Sequence, residues 1–225
     1  MPFRLLSLLK LRWMKKILLI LAFLLVVAVG YLVWVFKIRS GGGRDKGPKP
    51  VSLAVSKHSE PFNLSVQSLL NAYYDLSEGF VNWDTVAVSR SAMQLKGALD
   101  SLKIEELKVD TTGIYESALD PLANAKAEIN NILAAPSIDT KRTGFNQLSD
   151  NLRLLFIVVK YDRAKLYWQE CPMAFGEDSP GYWLSKTDAV RNPYLGTKHP
   201  TYKAGMLECG APKDTLNFMV SDTLK

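Results

Sequence analysis

Apolar side chains recur at alternating intervals of three and four residues in four stretches between residues 60 and 162. This spacing is typical of helices that bury one face. Asp84 before the second stretch and Ser137 before the fourth are residue types that cap helix N-termini. Asp120-Pro121 predicts the start of the third helix, because proline suits the first helical position. The predicted buried positions are Val66, Leu69, Tyr73, Leu76, Phe80, Val88, Ala92, Leu95, Leu99, Leu102, Leu122, Ala125, Ile129, Ile132, Phe145, Leu148, Leu152, Leu155 and Val159. The pattern predicts a mainly α fold, a bundle of about four helices over residues 60–162.

The pattern changes after the fourth stretch. Residues 161–209 contain eight aromatic residues and four prolines, without a sustained helical period. Turn residues separate the aromatic positions, and Leu166–Glu170 has the composition of a short strand. We expect an irregular or β-containing tail over residues 163–215, followed by a C-terminal extension at 216–225.

The N-terminal part of the chain contains a long uncharged run. Residues 17–36 carry no charge over twenty positions, between Lys15-Lys16 and Lys37. The run matches the thickness of a bilayer core and exceeds the apolar region of a cleavable signal peptide. We therefore expect a transmembrane signal-anchor, with a basic cytoplasmic tail at 1–16 and a flexible linker at 37–59. Because a long C-terminal domain can be translocated regardless of its charge, the expected location is the inner membrane, single-pass, with that domain in the periplasm.

The net charge of +6 is unevenly distributed along the chain. Residues 1–50 hold ten basic residues and one acidic residue, which leaves 18 basic and 21 acidic residues in the remainder. The remainder is therefore slightly acidic. Since a nucleic-acid-binding domain is expected to be basic, we expect no nucleic-acid partner.

Sequence motifs of the common enzyme classes are missing. The chain has no G-x-S-x-G, H-E-x-x-H or C-x-x-C segment, and its two histidines are His58 and His199. The chain therefore has few side chains suited to acid–base catalysis near neutral pH, and we expect that it is not an enzyme. Trp183 and Tyr194 are interpreted as packed aromatic residues.

The two cysteines carry the candidate chemistry. Cys171 precedes Met173 by two residues, and Met206 precedes Cys209 by three. Two thiolates and two thioethers form a soft ligand set, which favours Cu(I) and, by the same chemistry, Ag(I). His199 lies between the two segments and is considered as an additional ligand. The resulting hypothesis is a metal site formed by Cys171, Met173, Met206 and Cys209.

A disulfide between Cys171 and Cys209 is the competing interpretation. An oxidising compartment would favour the bridge, and closing a loop of this length would stabilise the fold by about 4 kcal/mol. The protein would then be a non-catalytic structural or interaction module. The residues alone leave both interpretations open.

Four short segments around the cysteines are similar to the signature of a known family. CPMAFG, GYWLS, NPYLG and GMLECG resemble an uncharacterised bacterial domain that occurs alone or fused to periplasmic adaptor subunits of Cus-type heavy-metal efflux pumps. The resemblance extends more loosely over residues 60–215, and Thr197 to Ala204 looks like an insertion relative to many members.

The resemblance implies a location in the cell envelope and a link to copper or silver handling. Cys171, Met173, Met206 and Cys209 would carry that link, and the implied partners are components of a heavy-metal efflux pump. We therefore expect a protein that binds Cu(I) or Ag(I) in connection with heavy-metal efflux or homeostasis.

Overall fold

The computed structural model describes residues 24–25, 27–32, 34 and 58–219. The chain divides into two compact units, Met1–Val51 and Ser52–Lys225, and each is described by itself. The described residues of the first unit are helical, with exposed side chains. All further elements belong to the second unit.

The described residues include no helix that is both long and apolar enough to cross a membrane. This finding corrects three predictions: the anchor at residues 17–36, a fold class that begins with a membrane helix, and a single-pass location in the inner membrane. The described residues of this stretch, 24–25, 27–32 and 34, are helical but fall short of the about 20 consecutive apolar residues that a membrane-spanning helix needs. The rest of the predicted anchor, the tail at 1–16 and the linker at 37–57 lie outside the described residues.

The second unit is mainly helical. Its helices are α1 (Glu60–Val81), α2 (Thr85–Asp100), a 3₁₀ helix (Ile104–Val109), α3 (Ile114–Ala134) and α4 (Ile138–Val159). All the apolar positions predicted to be buried are buried, in one hydrophobic core. The predicted caps are also confirmed: the Asp84 carboxylate accepts the N–H groups of Val86 and Ala87, and the Ser137 hydroxyl accepts that of Thr140.

The predicted start of the third helix at Asp120-Pro121 is wrong. Helix α3 begins at Ile114, and Pro121 lies inside it. Ile114 and Ala118 are fully buried, so the apolar stripe extends further toward the N-terminus than predicted. Their burial compensates for the main-chain hydrogen bond that Pro121, which has no N–H, cannot donate.

A small antiparallel sheet follows the helices. Its strands β1 (Leu166–Cys171), β2 (Gly181–Ser185) and β3 (Ala211–Leu216) lie in the order β2-β1-β3. The predicted strand at Leu166–Glu170 is therefore confirmed, and it extends one residue further to Cys171. In the β1–β2 register, Cys171 lies opposite Gly181.

Two hydrogen bonds join strand β2 to the bundle. The hydroxyl of Tyr73 in α1 accepts the Leu184 N–H at 3.0 Å, and the Asn146 side chain in α4 accepts the Tyr182 N–H at 2.7 Å. Trp183 and Tyr194 are buried, in line with their interpretation as packed aromatics. The sheet and the bundle thus share one core, which holds the end of β1 in place.

Candidate functional site

The two cysteines, 38 positions apart in the sequence, lie side by side. Cys171 is the last residue of β1 and is 0% exposed, whereas Cys209 is half-buried in the loop before β3. Their Sγ atoms are 3.5 Å apart, and both are free thiols. The structure therefore brings together the two sulfurs on which both interpretations of the sequence depend.

Asn192 connects the segments that carry the two cysteines. Its side-chain amide donates to the Cys209 carbonyl at 2.8 Å and also hydrogen-bonds to Cys171. Its side-chain oxygen accepts the N–H groups of Tyr194 at 2.8 Å and Leu195 at 3.1 Å. Asn192 is fully buried, so it acts as an internal crosslink that fixes the sulfur–sulfur separation.

Gly210 allows the second cysteine to approach the first. Its φ of +136° lies in a region that residues with a side chain rarely adopt. A Cβ atom there would lie 2.5 Å from the Glu170 carbonyl oxygen and 3.3 Å from the Trp183 ring. The loop of Cys209 can therefore pack against the end of β1 only because residue 210 has no side chain.

The environment of Cys171 favours the protonated thiol. Burial raises the pKa of Cys171 to about 11, although hydrogen bonds from the Met173 N–H and the Asn192 side chain act in the opposite direction. At neutral pH the sulfur is therefore neutral. Any reaction that needs the Cys171 thiolate must first remove this proton.

The two predicted methionine ligands are placed differently. Met206 is half-buried in a turn with Cys209, whose N–H donates to the Met206 carbonyl at 3.1 Å. Met173 is also half-buried and follows β1, and it lines a cavity that neither cysteine lines. The backbone thus keeps each methionine near one cysteine: the Cys209 N–H donates to the Met206 carbonyl, and the Met173 N–H donates to the Cys171 thiol.

A cavity of about 480 Å³ opens beside the less buried thiol. Cys209 lines it together with Pro172 and Gly210. Glu170 and Lys213 also line it and form an ion pair of 2.7 Å. Cys209 is therefore the sulfur that a molecule in this cavity would meet.

One part of the metal prediction needs correction. Among the residues that the structure describes, no group of three or more His, Cys, Asp and Glu side chains could hold a metal ion. A conventional metal-binding site of these ligands is therefore not found, and His199 does not complete one with the cysteines. The Nδ1 atom of His199 already accepts the N–H groups of Thr201 and Tyr202, each at 3.2 Å.

The sequence did not reveal the supporting residues Asn192 and Gly210. The Asn192-Pro193 dipeptide signalled a turn, but the partners of a buried amide depend on the tertiary fold. Gly210 follows Cys209 directly, and a glycine beside a candidate ligand is a signal for a close backbone approach.

Comparison with known families gives one match. Residues 69–161 match the family described as protein of unknown function (DUF3347). The match is consistent with the predicted uncharacterised domain family and covers most of the helical bundle. The four segments around the cysteines lie outside it, so their resemblance and the fusion to efflux adaptors stay predictions. No curated protein and no solved structure matches the chain.

Proposed function

We propose that this chain is a non-catalytic protein that holds one soft monovalent ion, Cu(I) or Ag(I), between the thiolates of Cys171 and Cys209. The observation that carries the proposal is the 3.5 Å separation of the two Sγ atoms. Metal–thiolate bonds of about 2.3 Å at a tetrahedral angle separate two sulfurs by about 3.8 Å. A shift of a few tenths of an ångström would thus accommodate an ion.

The methionines would complete the ligand set. Thioether sulfur coordinates Cu(I) and Ag(I) but is a poor ligand for hard ions, so it adds selectivity. Met206 is the stronger candidate, because its turn is tied to Cys209 by a main-chain hydrogen bond. Met173 would approach from the end of β1 and is the weaker candidate, since it lines a different cavity. These four sulfurs are a different ligand set from the His, Cys, Asp and Glu clusters that the described residues lack.

Binding would release protons. The pKa of Cys171 is raised to about 11 by burial, so the ion must displace the proton from this thiol. The apparent affinity should therefore increase with pH through the neutral range. The hydrogen bonds from Asn192 and the Met173 N–H would stabilise the thiolate that remains.

A competition titration tests the proposal. The reduced chain would be titrated with Cu(I) against a Cu(I) chelator under anaerobic conditions, and one ion per chain is expected. Cys209→Ser, which removes a ligand, should weaken binding by more than the about 10–100-fold loss that is typical of supporting residues. Unchanged affinity in Cys209→Ser would overturn the proposal.

Methionine variants test the thioether ligands. Met206→Leu is expected to weaken Cu(I) binding by about tenfold without affecting the helices. Met93→Leu is the matched control, because Met93 is exposed on α2 and lines neither the cavity of Cys209 nor that of Met173. Equal affinities of the two variants would remove Met206 from the ligand set.

The same short distance also favours a second candidate function, a structural or interaction module with a Cys171–Cys209 disulfide. A disulfide requires a sulfur–sulfur bond of about 2.05 Å, so the two thiols would have to move closer by rotation of their side chains. Mass measurement of the protein purified without reductant distinguishes the candidates. A mass lower by two hydrogens, found also for protein whose thiols were blocked in cells before purification, supports the bridge. Free thiols with stoichiometric Cu(I) uptake support the ion site.

The partner class in this proposal is a heavy-metal efflux system. Its support is the resemblance of the segments around the cysteines to a domain found with efflux adaptor subunits. The chain would hold an ion or relay it to such a system.

A further inference from the structure

A second cavity, of about 600 Å³, lies beside the first turns of α4, and of the four proposed ion ligands only Met173 lines it. Neither cysteine lines it. Its volume is within the about 300–1,000 Å³ typical of small-molecule sites. The lining residues that matter here are Trp83, Asp139, Arg142, Glu177, His199 and Tyr202.

Arg142 contributes a buried positive charge to this cavity. The residue is 3% exposed, and its guanidinium donates to the carbonyls of Pro193 at 3.1 Å and Phe80 at 3.2 Å. A third contact, 3.3 Å long, reaches Asp139, whose side chain is 82% exposed. Because a guanidinium has five N–H groups, two of them are left without a partner in the described structure.

The charge of Arg142 is only partly compensated. Burial lowers the pKa of Arg142 to about 10, against the opposing effect of Asp139. The group is still cationic at neutral pH, but a single solvent-exposed carboxylate balances it weakly. A second anionic group next to the guanidinium would therefore be stabilised.

Aromatic rings lie beside this charge and line the cavity. The guanidinium carbon of Arg142 lies 3.8 Å from the centre of the Trp83 ring, and the His199 ring stacks on Tyr202 at 4.8 Å. Trp83 has a φ of +55°, a costly conformation for a large residue, and its indole N–H donates to the Leu195 carbonyl at 2.9 Å. The fold thus holds the indole in a fixed orientation beside the cavity.

His199 adds a neutral hydrogen-bond donor. Its Nδ1 accepts two backbone N–H groups, so the neutral ring carries its proton on Nε2. Burial, followed by the charge of Arg142, lowers the pKa of His199, which favours this neutral form. No acceptor for the Nε2 proton is found among the described residues.

We infer that this cavity binds a small planar monocarboxylate. The carboxylate would accept from Arg142 and from His199 Nε2, and its flat body would pack against Tyr202 and the neighbouring rings. Asp139 and Glu177 also line the cavity and would disfavour a ligand with a second negative charge. The proposed ligand set and this cavity share only Met173, the weaker of the two thioether candidates, so the inference does not depend on ion binding by the cysteines.

A titration with three related compounds tests the charge requirement. Benzoate, benzamide and phthalate would be added separately to the reduced, metal-free chain, with binding followed by calorimetry. Benzoate is expected to bind at least about tenfold more tightly than uncharged benzamide, because it gains charge-assisted hydrogen bonds. Phthalate, with two carboxylates, should bind less tightly than benzoate. Benzamide binding as tightly as benzoate would overturn the inference.

Variants locate the site. Tyr202→Ala should weaken benzoate binding by about three- to tenfold at an unchanged melting temperature, because Tyr202 is exposed. Tyr115→Ala is the matched control, since Tyr115 does not line the cavity, and it should bind benzoate normally. Arg142→Lys keeps the charge but loses the planar fork and should weaken binding. If Arg142→Lys does not fold, His199→Gln takes its place. Benzoate binding that is equal in Tyr202→Ala and Tyr115→Ala would exclude this cavity.

Discussion

The helical bundle and the C-terminal region are held together by different kinds of contact. In the bundle, the apolar stripes of α1 to α4 pack together in one core, so each buried residue is one of many that stabilise it. In the C-terminal region, single residues make contacts that no neighbour duplicates: Asn192 joins two loops, and Gly210 permits one close approach. A substitution in the bundle should therefore cost stability in proportion to the volume removed, whereas one in the C-terminal region should change local geometry.

The largest expected effect is that of Phe145→Ala, which tests whether the two regions unfold together. The Phe145 ring is fully buried. Its centre lies 4.9 Å from the centre of the Phe80 ring in the bundle and 6.0 Å from that of the Tyr194 ring in the C-terminal region. Its loss should reduce the free energy of unfolding by about 3–5 kcal/mol. Denaturation followed by circular dichroism and by tryptophan fluorescence should give coincident, shifted transitions. Separate transitions would mean that the regions are independent.

Gly210→Ala should act mainly on the C-terminal region. Its Cβ would lie 2.5 Å from the Glu170 carbonyl oxygen, and φ is +136°. The expected cost is about 3 kcal/mol, the upper end for a strained backbone. Helical circular dichroism should persist at 25 °C, while the rate at which Cys171 reacts with a thiol reagent increases because the loop of Cys209 moves away. Gly97→Ala serves as the control, since a Cβ there has open space. An unreactive Cys171 in Gly210→Ala would contradict this account.

The effect of Asn192→Ala should be somewhat smaller. The change leaves the Cys209 carbonyl and the N–H groups of Tyr194 and Leu195 without their partner. One such buried group costs about 1–3 kcal/mol, and water that enters the vacated space should limit the total to that range. Thermal unfolding gives the cost, and a Cys171 pKa that rises further on loss of the Asn192 hydrogen bond would identify Asn192 as a positioning residue.

Acid should produce the smallest effect, confined to the loop that contains His199. The pKa of His199 is lowered in the folded chain, first by burial and then by the charge of Arg142, with Asp139 opposing and Lys203 adding to the shift. The unfolded chain therefore binds the proton more readily. The contribution of neutral His199 to the free energy of unfolding is fully present above about pH 6.5. It is lost as the pH falls through the lower pKa of the folded chain. The protection factors of the Thr201 and Tyr202 amides, which correct for the pH dependence of intrinsic exchange, should decrease on acidification, but not in His199→Gln.

The bundle was predictable because its contacts follow a local period. The stripes, Asp84 and Ser137 could all be read from residue type and spacing, since helix formation and capping depend on near neighbours. The start of α3 was predicted wrongly because Pro121 is a strong local signal, whereas the burial of Ile114 and Ala118 is decided by tertiary packing.

The candidate site was only partly predictable. Both cysteines were identified from the soft chemistry of sulfur, but their 3.5 Å separation depends on residues distant in sequence. The amide of Asn192 has partners that no spacing rule could supply. The prediction of a membrane anchor was wrong for a different reason. Twenty uncharged residues are long enough to cross a bilayer as a helix, but the described residues contain no helix that is long and apolar enough to do so.

The order β2-β1-β3 makes β3 an edge strand, so its composition decides whether a strand of another molecule can pair with this edge of the sheet. Pro212 has no N–H to offer a further strand, and the charged Lys213 and Asp214 follow it. Pairing with a strand from another molecule would leave hydrogen bonds unmade and would bury charge. This edge is therefore protected against aggregation by sheet extension.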